Sequence, residues 1–180
     1  MNMASDSKNV KFGVCNVKYD DVDLGYTKGG VEVTVETNTH EVTVDQFGET
    51  PINESIMGRR ITIKVPLAET TVENLIKIMP GAKLEKDTVD ETKVAVVVPS
   101  GVGINLLDYA KKLVLHPKNL PADDHSEGLI IPCAATPGGM TFAYKVDDER
   151  LFDIEFKGYP DADGNLFYYG DSTALDTSGS

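Results

Sequence analysis

The three histidines are the first place to look for chemistry in this chain, and none stands in a setting that supports it. His125 lies between Asp124 and Ser126, the three residue types of a hydrolytic triad. A triad converges in space from separate elements, and adjacency along the chain does not supply that geometry. No glycine-framed nucleophile turn surrounds Ser126, so PADDHSEG reads as a polar turn. His116 precedes Pro117 at the end of an apolar run and His40 opens another. No pair of histidines has metal-ligand spacing.

Asp161-Ala162-Asp163-Gly164-Asn165 opens like a calcium loop but lacks the third oxygen ligand in register and the downstream Glu. Turn chemistry explains it better, since Asp and Asn bond their own backbone and Gly permits positive φ. Gly101-Val102-Gly103 and Gly138-Gly139 have no Lys-Ser/Thr beside them and no strand-to-helix frame, so they do not form a phosphate cradle. Cys15 and Cys133 are too few and too far apart for a disulfide framework or a zinc site, and read as reduced thiols packed as small hydrophobes. The sequence thus nominates no catalytic residue, no cofactor and no metal, and the expectation is that the protein is not an enzyme.

The elements carry more information. Val31, Val33 and Val35 alternate with Glu32, Thr34 and Glu36; Val42 and Val44 alternate with Glu41, Thr43 and Asp45; Ile61, Ile63 and Val65 alternate with Arg60, Thr62 and Lys64. Strand side chains point to opposite faces in turn, so each run buries one face and wets the other. The first two runs are near enough to pair as an antiparallel hairpin through Asn38 and Thr39. That pairing would merge Glu32, Glu36, Glu41 and Asp45 into one acidic surface, with Thr34 and Thr43 as neutral neighbours and Arg60 and Lys64 able to pair across from it. Strand signals lie at about 11–18, 30–37, 40–46, 59–66, 93–98, 111–116, 128–135, 139–146, 150–158 and 165–169, separated by Gly, Pro, Asp and Asn.

One helix is predicted over about 70–79. Thr70 and Glu73 have capping-box spacing, Val72, Leu75, Ile76 and Met79 form one apolar stripe, and Pro80-Gly81 stops it. The fold expected is mainly β, a β-sandwich or partly closed barrel with one short flanking helix. Gln46–Gly58 reads as a long loop with four apolar residues, Phe47, Ile52, Ile56 and Met57. These either fold back on their own core or dock on a neighbouring subunit. Lys83–Lys93, nearly all charged and polar, reads as a solvated excursion.

The 180 residues suit one domain, expected over 10–170 between mobile tails at 1–9 and 171–180. With 29 acidic against 17 basic residues the net charge is −12. That disfavours nucleic-acid binding by phosphate neutralisation and adhesion to an anionic membrane. MNMASDSKNV lacks the basic and apolar regions of a signal peptide, and no apolar run approaches the roughly 18 residues of a membrane span, so synthesis in the cytoplasm is the default expectation.

The order and wording of the run from VEVTVETNTHEVTVDQFGETPINESIMGRRITIKVP to LAETTVENLIKIMPGA resemble the tail tube (major tail) proteins of long-tailed bacteriophages. LVLHPKNLP and FAYKVDDERLFDIEFKGYPDADGNLFYYGD extend the resemblance over roughly residues 10–171. It implies hexameric rings whose inner sheets join edge to edge and stack into a tube, the conduit for DNA ejection into the host. It implies partners at each level: further copies of the chain, tape-measure, terminator and tail-tip proteins, and phage DNA in transit without specific binding. It places the chain in the virion tail, Glu32, Thr34, Glu36, Glu41, Thr43 and Asp45 on the lumen, and Phe47, Ile52, Ile56 and Met57 against a neighbour. A ring-forming tube protein of a contractile secretion system and a β-sandwich carbohydrate-binding or adhesion module are the alternative readings. The absence of Trp counts against the latter.

Overall fold

Ile61, Ile63, Val65 and Leu67 recur at every second position and are all fully buried, as a strand with one face against a core requires. They lie at the C-terminal end of a 17-residue strand, and the architecture is built outward from there. The computed structural model describes residues 13–147, 149–171 and 173–174. The tails expected at 1–9 and 171–180 therefore fall outside the described residues, apart from 171, 173 and 174.

In chain order the strands are β1 (Cys15–Tyr19), β2 (Val22–Asp23), β3 (Glu32–Thr43) and β4 (Pro51–Leu67), then helix α1 (Val72–Ile78), β5 (Lys83–Lys86) and β6 (Val94–Val97). They continue with β7 (Lys111–Pro117), β8 (Leu129–Ala135), β9 (Met140–Thr141), β10 (Phe152–Tyr159) and β11 (Tyr168–Tyr169). One antiparallel sheet runs β2-β1-β7-β8-β10-β4-β3, with β9 on β10 and β11 on β8; β5 and β6 form a separate hairpin. Over the described residues the protein is mainly β with one short flanking α-helix.

The sheet curls over its own apolar face. β1 and β10 are three strand spacings apart, about 14 Å in a flat sheet. Yet the rings of Tyr19 and Phe156 meet at 4.9 Å, and Val17, Leu113, Ile131, Ile63 and Phe156 share one core. The chain after β2 helps close the curl: Thr27 bridges Leu67, and the Ala68 N–H donates to the Tyr26 carbonyl at 2.8 Å. Where β10 passes over this core it needs Gly158, because a Cβ there would overlap the Ile61 side chain.

α1 is shorter than the apolar stripe predicts. Its N-cap is Thr71, whose Oγ1 accepts the Asn74 N–H at 3.2 Å, and the Thr70 hydroxyl instead accepts from Arg150 at 3.0 and 3.2 Å. Ile78 is the buried aliphatic residue, while Val72, Leu75, Ile76 and Met79 are half-buried. Asn74 is also buried, and its amide donates to the carbonyls of Leu24 (2.9 Å) and Glu69 (3.0 Å), fixing the helix to the segment after β2. The charged stretch expected to be a loop at Lys83–Lys93 supplies β5 and the turn to β6, so its first four residues are a strand.

Candidate assembly surface

The two valine runs do not form a hairpin with each other. They are one continuous strand, β3, and its partner along the whole length is β4, from Glu32 opposite Lys64 to Thr43 opposite Pro51. The segment Gln46–Gly58 is correspondingly not a long loop. Asp45–Phe47 make a single 3₁₀ turn, Gly48 takes the positive φ of +61° that the reversal needs, and Pro51–Gly58 belong to β4. β4 pairs with β10 only from Ile61 to Leu67. Beyond Ile61 the β3–β4 ladder is therefore a two-stranded arm, about 25 Å long at roughly 3.3 Å per residue.

Two irregularities lie on β4, skipping Met57 and Ile52, while β3 keeps its alternation throughout. Strand parity consequently divides the six residues expected on one acidic surface. Glu32, Thr34 and Glu36 occupy the outer face, opposite Lys64, Thr62 and Arg60. Glu41 and Thr43 occupy the other face, opposite Glu54 and Pro51, and Asp45 lies in the turn at the tip. The cross-strand opposition of carboxylates with Arg60 and Lys64 is present in the register. The next strand continues the pattern, with Glu155 opposite Lys64, Lys157 opposite Thr62 and Asp153 opposite Pro66. The outer face of β3, β4 and β10 thus carries four carboxylates against three cations, a mixed surface rather than an acidic one.

The four apolar residues of Gln46–Gly58 are exposed: Phe47 by 65%, Ile52 by 51%, Ile56 by 56% and Met57 by 70%. They do not fold back on the core. The valine face is also less covered than its alternation predicts. Val31 packs on the core, but Val33 and Val35, on the edge strand, remain 38% and 43% exposed.

At the root of the arm, facing the turn between β10 and β11, is an open groove of about 580 Å³. Val35, Ile56 and Met57 form one wall; Pro160, Leu166 and Phe167 form the other; Arg59 is the single charged residue in its lining. Sequence reasoning missed this groove because its walls come from segments 100 residues apart, joined only by sheet topology. The signal available was the run Gly158-Tyr159-Pro160 ending a strand next to an apolar Leu166-Phe167 pair.

The positions weighed for chemistry are taken up by local structure. Asp161 Oδ1 accepts the N–H groups of Asp163 (3.0 Å) and Asn165 (2.8 Å), and Oδ2 accepts the Tyr168 hydroxyl (2.7 Å). The Tyr168 bond first, then the backbone donors, hold the Asp161 carboxyl below its ordinary range. Asp124 Oδ1 accepts the Ser126 N–H at 3.0 Å, and the Ser126 bonds lower its pKa with smaller help from the two histidines. His116 Nε2 lies 2.9 Å from the Asp124 carbonyl, which can only accept, so that nitrogen carries the proton. The triad residue types are therefore bonded as a turn, with the Asp124 carboxylate on a backbone amide. Cys15 and Cys133 are free and half-buried, and burial pushes the Cys15 thiol up. Among the described residues no group of three or more His, Cys, Asp or Glu side chains is placed to hold a metal, and no helix is long and apolar enough to cross a membrane.

No protein-family model matches this sequence, and none of the curated proteins does.

Proposed function

We propose that this chain is the structural subunit of a bacteriophage tail tube, assembling as stacked hexameric rings that form the conduit for DNA ejection into the host. The arm carries the reading. A subunit working alone gains nothing from a two-stranded projection whose apolar residues face solvent, since an isolated two-stranded ladder is marginal in water. Phe47, Ile52, Ile56 and Met57 have the exposure expected of residues that a neighbour covers. The free edge of β3, 12 residues long, also presents unpaired backbone groups that favour joining sheet to sheet. The resemblance over residues 10–171 supplies the assembly that uses both features. In it the outer face of β3, β4 and β10 lines the channel, DNA passes without specific binding, and tape-measure, terminator and tail-tip proteins meet the tube.

Negative-stain microscopy of the purified chain tests this directly, with tubes of stacked rings as the expected image. Replacing Thr37–Arg59 by a two-residue turn should leave the circular dichroism of the β-core intact and abolish tubes. A chain that stays monomeric from micromolar to millimolar concentration, without filaments at any salt concentration, would overturn the reading.

A further inference from the structure

The arm is electrically polar along its length. Residues 40–55, its outer half, contain Glu41, Asp45, Glu49 and Glu54 and no Lys or Arg; the root beyond them contains Arg59, Arg60 and Lys64. The three root cations differ in their surroundings. Arg60 and Lys64 stand opposite Glu36 and Glu32, whereas Arg59 stands opposite Thr37 and makes no ion pair among the described residues. At the far end the mismatch is reversed. Glu41 lies directly opposite Glu54, a like-charge pairing that costs stability in an isolated ladder. Each end of the arm therefore lacks the charge that the other end offers.

We infer that the root groove is the receptor for the arm tip of a second copy of this chain. Phe47 enters between the Val35–Met57 wall and Pro160, Leu166 and Phe167, while Asp45 and Glu49 meet Arg59 at the rim. The inference rests on the tube reading for its self-association and adds the acceptor site. The occupant cannot be the molecule's own tip, because eight ladder positions separate Val35 from Thr43, about 26 Å of paired strand. It is matched by shape class as well as charge: an exposed aromatic on a tight turn and an apolar groove with one cation. Tip and groove are different surfaces, so the contact is heterologous and repeats from copy to copy without saturating, as a stacked assembly needs.

Crosslinking with two populations tests the contact. In a Cys15→Ala/Cys133→Ala background, Gln46→Cys chains are mixed with Met57→Cys chains under mild oxidation, at the concentration where the unchanged chain associates and also at millimolar concentration. The mixture should give the mixed disulfide in clear excess over a control pairing of Gln46→Cys with Val89→Cys, an exposed position on the β5–β6 turn. Adding Arg59→Glu to the Met57→Cys chain should lower the yield about tenfold, the scale of one to two exposed ion pairs, and Asp45→Lys/Glu49→Lys in the Gln46→Cys chain should restore it. A yield no greater than the control overturns the groove assignment. Tubes without the crosslink leave the tube reading standing and remove this one; the crosslink without tubes does the opposite.

Discussion

Tyr19 lies under the curl of the sheet, its ring against Phe156 and its hydroxyl donating to the Tyr109 carbonyl at 3.0 Å, with the Ala134 carbonyl at 3.2 Å. Burial first, and the charge of Asp20 second, push its phenol up to about 12. The unfolded chain releases that proton near 10. A raised phenol favours the folded state fully below pH ~10, and the contribution drains away as pH climbs from ~10 toward ~12. Tyr19→Phe should cost about 1–2 kcal/mol at neutral pH through the lost hydrogen bond and stranded carbonyls, and should flatten the alkaline fall in stability. Urea midpoints at pH 8, 10 and 11 for both chains check it; parallel slopes would show that Tyr19 does not carry the effect. Tyr19 could not be singled out from sequence, because what distinguishes it is the approach of β10 from across the core. Asp161 was legible: DADGN contains its own donors, so the turn forms from neighbours within four residues.

The β3–β4 arm and the core strands share a sheet but not an environment. Ile61–Lys64 of β4 are flanked by both β3 and β10, and the alternate residues Ile61, Ile63, Val65 and Leu67 back onto the core, whereas Pro51–Arg60 are wholly exposed and paired on one side only. Backbone amides of Val42, Asn53 and Ser55 should therefore exchange quickly in the isolated subunit and slowly after assembly, while those of Ile63 and Ile154 stay protected throughout. Hydrogen exchange followed by mass spectrometry reads both states, and equal protection of the arm in each would exclude its burial on assembly. The strands were legible because alternation is local. Their pairing was not. The apolar positions switch from odd (Val31, Val33, Val35) to even (Val42, Val44), which resembles two strands with a turn between them. The strand runs on because its outer half has no core to satisfy, so neither phase is enforced, and β4 absorbs the mismatch by skipping Met57 and Ile52. The helix start slipped by one residue for a similar reason: Thr70 and Thr71 both suit an N-cap, and Arg150, 80 positions away, takes the first.

At the scale of the whole molecule, a net charge of −12 coexists with a nearly balanced outer face on β3, β4 and β10. Such a face, placed around a channel, gives duplex DNA neither a run of cations to stall on nor an intense repulsion to overcome. Glu32→Lys with Glu36→Lys would leave five cations against two carboxylates on this face of each copy, and the effect multiplies around a ring. Tubes of that variant should retain duplex DNA on cosedimentation at low salt and release it steeply as salt rises, while unchanged tubes retain none. Equal retention by both would remove this face from the channel. The opposed charges of the arm have a consequence for growth rather than for binding. A filament joined by tip and groove has two unlike ends, one presenting vacant grooves and the other bare tips. A free peptide with the sequence of residues 40–55 would occupy only the first kind, poisoning extension in one direction and leaving the other running. In a tail built this way, a terminator protein at one end and a tip protein at the other would meet chemically different surfaces, and the direction of the tail would follow from the charge order of one hairpin.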